Sequence, residues 1–145
     1  MAVTDAQVAT LRAQLAGSLD EHLRLLGQID SASDRRAYSA LVVASFCEAV
    51  ERRFSENSGA AEVVGFVSDV RATSDEAADK IDPRAAERLI RAVYTDEDVS
   101  DVTADRKKEL YVLLLPALIG DEEFSEAELD GFLDKSRHLA DQWLS

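Results

Sequence analysis

Apolar side chains recur every three or four residues along almost all of this chain, and nowhere do they alternate over the length of a strand. That spacing lines them up on one face of an α-helix, so residues 1–145 are expected to form a single all-α domain. The pattern divides into a bundle of five to seven helices. The first opens at Thr4, where Gln7 completes a capping box, and carries Val8, Leu11, Leu15, Leu19, Leu23 and Leu26 on one face to about Ile29. A turn at Ser31, Ser33 and Asp34 leads to a second helix with Tyr38, Val42, Phe46, Val50 and Phe54 at i, i+4 spacing, and Asn57, Ser58 and Gly59 are expected to end it. A third collects Val63, Val67, Val70, Ser74, Ala77 and Ile81, more weakly across 72–80. Asp82 and Pro83 then punctuate the chain. Asp82 suits the N-cap and Pro83 the first turn of a helix burying Leu89, Ile90 and Val93.

Residues 103–119 read as the central helix. Leu110, Leu113, Leu114, Leu115, Leu118 and Ile119 leave it almost no polar face, so other helices should enclose it. Pro116 removes a backbone donor and predicts a kink or an early end, and Gly120 predicts a break. Ser125 and Glu128 form a second capping box. They open a last helix with Leu129, Phe132, Leu133, Leu139, Ala140 and Trp143 inward. The longest apolar run, 110–119, reaches about half of the ~20 residues a membrane helix needs. No membrane partner is therefore expected. The residues around Thr4 and Asp5 lack the basic and apolar run of a secretory signal. The one cysteine, Cys47, cannot pair within the chain, and its apolar neighbours predict a buried thiol. These features predict a cytoplasmic protein.

Charge narrows the partners. The chain carries 29 acids against 16 bases, a formal net charge of −13. Such a surface repels phosphate backbones and anionic headgroups, which sets nucleic acid aside. The excess is uneven: 121–145 holds eight acids and two bases. Asp121, Glu122, Glu123, Glu126, Glu128 and Asp130 are accordingly the candidate partner-binding residues. Against this background Arg84, Arg88 and Arg91 form a basic stripe at i, i+4 and i+7, and Arg106, Lys107 and Lys108 a second basic spot. Pairing with acids of neighbouring helices, or of a second copy, is their expected role.

Motifs for chemistry are sparse, and no cofactor is expected. Di-iron bundles need Glu-x-x-His, and neither His22 nor His138 has an acid three residues before it. His138 with Asp134 and Asp141 could share a helical face, which makes them weak metal candidates. Asp96, Asp98 and Ser100 imitate the start of a calcium loop, but Asp101 stands where glycine is needed and Lys107 where the bidentate Glu belongs. No nucleophile elbow or phosphate loop occurs. The expected function is thus a non-catalytic interaction or regulatory module that binds a basic protein. The alternative is a small-molecule- or metal-binding bundle, an enzyme at the extreme, with Tyr94, Tyr111, His138 and Trp143 around an opening at Pro116. Apolar surplus at Leu41, Val43, Trp143 and Leu144 further predicts a homodimer through the first two helices.

Overall fold

A computed structural model describes residues 1–145, and all of its regular structure is helical. Eight helices follow one another: α1 (Asp5–Leu15), α2 (Leu19–Leu26), α3 (Ala32–Arg53), α4 (Ala60–Arg71), α5 (Asp75–Lys80), α6 (Pro83–Ala92), α7 (Ala104–Glu122) and α8 (Glu126–Leu144). The all-α expectation holds, but five to seven helices is too few, because two expected helices are each broken in two. The first breaks at Gly17, whose φ of +82° suits glycine alone. The Gly17 and Ser18 amides donate to the Gln14 and Ala13 carbonyls, closing α1 with a Schellman motif. The third breaks after Arg71, where Ser74 accepts from the Ala77 amide and starts α5.

Three expected N-caps are in place. Thr4 with Gln7 and Ser125 with Glu128 form capping boxes, and Asp82 Oδ2 accepts from the Ala85 amide at 2.9 Å with Pro83 in the first turn. Each such cap contributes about 1 kcal/mol. Other expected boundaries move. α3 ends at Arg53, and Gly59 serves as the N-cap of α4 instead of ending the preceding helix. Pro116 lies inside α7, which runs on through Gly120 to Glu122. The lost donor is therefore tolerated, and the helix stops at Glu123, a non-glycine residue at φ 54°.

The chain separates into two compact units, with the divisions inside α3 and α7. One comprises Met1–Glu48 and Leu118–Ser145, the other Ala49–Ala117. In the first unit, Leu11, Leu41, Phe46, Leu118, Phe132 and Leu133 are buried. Polar ties reinforce this core: Gln7 Nε2 donates to Asp34 Oδ1 at 2.9 Å, and Arg137 Nη2 and Nη1 donate to the Val3 carbonyl and Asp5 Oδ1, each at 2.7 Å. The Val3 amide donates to Asp141 Oδ1 at 2.7 Å, fastening the N-terminal segment to α8. α2 rests on α1 through His22, which is buried with Nδ1 2.8 Å from the Thr10 carbonyl. Leu19, Leu23 and Leu26 were expected inward and are exposed instead. The break at Gly17 resets the helical register, so His22 takes the inner face.

In the second unit, Phe54, Val63, Phe66, Val67, Ile81, Leu89, Ile90, Leu110 and Leu114 are buried. Phe54 and Phe66 meet edge to face at 5.9 Å, and the Arg53 guanidinium lies 4.6 Å from the Phe66 ring centre. Arg71 donates to the Ile81 and Ala78 carbonyls at 2.9 and 3.2 Å, satisfying acceptors at the end of α5. The apolar face of α7 is buried as expected at Leu110, Leu114, Leu115, Leu118 and Ile119, but the helix is not enclosed all round: Leu113 is half-buried and Val112 faces outward at 41% exposure.

Candidate functional site

The six acids singled out between 121 and 130 surround the corner where α7 ends and α8 begins. Their roles differ. Glu128 Oε1 accepts from the Ser125 amide at 3.0 Å and belongs to the cap of α8. Asp130 accepts from Arg12 Nε of α1 at 2.8 Å, so its charge is largely neutralised. Asp121 is exposed and Glu122 half-buried. Glu123 and Glu126 are exposed, and neither carboxylate is in an ion pair. Both border a cleft of about 330 Å³ whose apolar wall is Leu15, Ile119, Phe124 and Leu129. Phe124 is held by Phe132, 5.6 Å away between ring centres.

Three helix ends meet there. α1 terminates at Leu15 and α7 at Glu122, and the C-terminus of a helix carries partial negative charge, whereas Glu126 stands in the first turn of α8, at a partly positive N-terminus. Arg12 also lines the cleft, but its guanidinium is committed to Asp130 and, at 3.5 Å, to the Glu126 carbonyl. The corner thus combines apolar surface with carboxylates that no cationic side chain pairs. Arginine and lysine side chains have the matching form, an aliphatic stem ending in a cation.

The other acidic stretch, 94–101, is arranged differently. Arg88 donates to both carboxylate oxygens of Asp101, at 3.0 and 2.7 Å, and to the Asp98 carbonyl, while Arg91 lies 3.2 Å from Glu97. The bond from Arg88 holds the Asp101 carboxyl below the usual range. Asp98 is held low as well, chiefly because its Oδ1 accepts from the Ser100 amide at 2.9 Å. Arg88 and Arg91 of the stripe therefore serve this loop and not a neighbouring helix, whereas Arg84 lines the groove beside it. An adjoining groove of about 510 Å³ is walled by Arg84, Arg88 and Arg106 and by Asp82, Asp101, Asp105 and Glu109. Its charges nearly cancel, and Arg106 pairs with Glu109 at 3.7 Å.

The weak metal candidates are not brought together for that purpose. Asp141 is engaged by the Val3 amide, and His138 Nε2 lies 3.3 Å from Gln142 Nε2. No group of three His, Cys, Asp or Glu side chains is placed to hold a metal ion. His138 and Trp143 are exposed, and Tyr94 and Tyr111 half-buried. None of these four lines either cleft described above. Cys47 is half-buried instead of fully buried. Leu41 is fully buried within the protomer and Val43 half-buried, so they leave less apolar surplus than their spacing suggested. No helix is long and apolar enough to cross a membrane.

Sequence reasoning found the acids of the corner but missed Arg12, Leu15 and Phe124. Arg12 lies 118 residues from Asp130, and no local pattern announces their pairing. Searches against protein-family models, curated proteins and solved structures return no match to this chain.

Proposed function

We propose that this protein is a non-catalytic interaction or regulatory module that binds a basic segment of another protein at the α7–α8 corner. The supporting observation is that Glu123 and Glu126 stand without counter-ions beside an apolar-walled cleft of about 330 Å³. Elsewhere, at 97–101, the chain spends arginines to neutralise its own acids. The net charge of −13 steers cations toward such a site and repels anions, giving fast association that weakens with salt. A reducing cytoplasmic setting accords with this reading, since a single cysteine offers no intramolecular disulfide.

Affinity capture from the source cell at low and at high salt tests the proposal. The wild-type chain should retain a basic protein at about 50 mM salt and release it by about 300 mM. The double variant E123Q/E126Q should retain much less. Recovery of no partner, or of one indifferent to both salt and these substitutions, would overturn the assignment.

A further inference from the structure

α2 turns three of its four leucines away from the protein. Leu19, Leu23 and Leu26 are 60%, 63% and 36% exposed, at i, i+4 and i+7, and so lie within about 60° of one another around the helix. The inner side is taken by His22, bonded to the Thr10 carbonyl of α1. Isolated exposed leucines are ordinary; these three form one continuous apolar stripe along an eight-residue helix.

We propose that this stripe is a self-association face, on which a second copy of the chain lays its own α2 antiparallel. The residue pattern is self-complementary under a two-fold axis passing near Leu23: Leu19 of one copy meets the partner's Leu26, and the two Leu23 side chains pack together. Asp20 lies on one flank of the stripe, and Arg24 stands further round on the same side, with a side chain long enough to reach back to that flank. In the antiparallel pair Asp20 falls beside the partner's Arg24, and the symmetry repeats the contact. Both groups are equipped for it. Asp20 is exposed and has no partner in its own chain. Arg24 uses Nε and Nη2 on its own Glu21, at 3.0 and 2.5 Å, which leaves Nη1 for the incoming carboxylate.

Area and charge set the strength. One face of an eight-residue helix offers less than the ~800 Å² per partner of a stable dimer, so association is weak. Each copy also carries −13, and added salt screens that repulsion. The dimer therefore tightens with salt, opposite to the binding of a basic partner at the α7–α8 corner. The two assignments can then fail separately.

Sedimentation equilibrium of the full chain from about 10 µM to 1 mM provides the test. The mass should rise from 15.9 kDa toward twice that value, at lower concentration in 300 mM than in 50 mM salt. L19S/L23S should raise the dimer Kd at least about tenfold with unchanged helicity, since both side chains are exposed in the protomer. D20R and R24D, each placing like charges together, should each weaken self-association roughly fivefold. Mixed in equal amounts, they should form a heterodimer visible by native mass spectrometry, because opposite charges then meet. A mass of 15.9 kDa throughout, a dimer indifferent to L19S/L23S, or a mixture no tighter than its components would overturn the proposal.

Discussion

Glu123 offers a test in which backbone strain and function pull in opposite directions. It follows the last residue of α7 with φ at 54°, a conformation that costs an L side chain about 1–2 kcal/mol relative to glycine. Its amide bonds weakly to the Gly120 carbonyl at 3.3 Å, so the turn that ends α7 is formed but not tight. The carboxylate also faces the negative end of the helix, an unfavourable placement worth a few tenths of a kcal/mol. Glycine would relieve both, while its freer unfolded chain returns about 0.4–1 kcal/mol. The net expectation for E123G is a gain of roughly 0.5–1 kcal/mol, or about 2–4 °C in Tm. Thermal and urea unfolding followed by far-UV circular dichroism would measure it, with E123Q as control for the charge alone. E123G should gain clearly more than E123Q, and under the proposed function it should bind a basic partner more weakly. A Tm for E123G no higher than that of E123Q would refute the strain argument.

Three further perturbations read other parts of the structure. Leu114 is fully buried in α7, so L114A should cost about 2–5 kcal/mol, measured as a lower urea midpoint at unchanged m-value. Burial pushes the Tyr38 phenol up to about 12, so its neutral form stabilises the fold fully below pH 10 and that contribution is lost as pH rises from 10 toward 12. Absorbance titration should show a late tyrosine that Y38F removes, and alkaline unfolding of Y38F should shift to higher pH. Arg88 holds the Asp101 carboxyl low, so that ion pair supports the fold above the ordinary aspartate range near ~3.9 and is lost as pH falls below it. In R88A the Asp101 carboxyl resonance should titrate at a higher pH than in the wild type, and amides of 96–101 should exchange faster.

The parts of the fold legible in the sequence are those governed by contacts three or four residues apart. The capping boxes at Thr4 and Ser125, the Asp82–Pro83 start of α6 and the buried stripe of α7 all have this range. The break between α1 and α2 carried a local signal too, glycine at the position that closes a Schellman motif. An unbroken run of leucines at helical spacing concealed it. Once the chain turns at Gly17, the leucines after it no longer share a face with Leu11, and the polar His22 is buried by bonding to a main-chain carbonyl. Hydrophobic spacing alone predicts the reverse, since it takes no account of a polar ring with a satisfied nitrogen. The start of α5 at Ser74 is similar: a cap residue outweighed an apolar pattern that was weak across 72–80.

The acidic site was legible in position but not in strength, because strength depends on pairing. Counted along the chain, Glu97, Asp98 and Asp101 look as available as Glu123 and Glu126. In the structure, Arg88 and Arg91 reach across from α6 and bind the first group, while the second meets only Arg12, already held by Asp130. Ion pairs such as these add little stability at an exposed surface. Their larger effect is to decide where the excess charge of the protein is felt. A cation approaching 97–101 meets carboxylates that already have partners. One approaching Glu123 and Glu126 meets two carboxylates in no ion pair, the C-termini of α1 and α7, and an apolar wall that can take the stem of a lysine or arginine. Replacing Arg88 and Arg91 would free the first group as well, and under the proposed function a basic partner should then gain a second, competing place to bind.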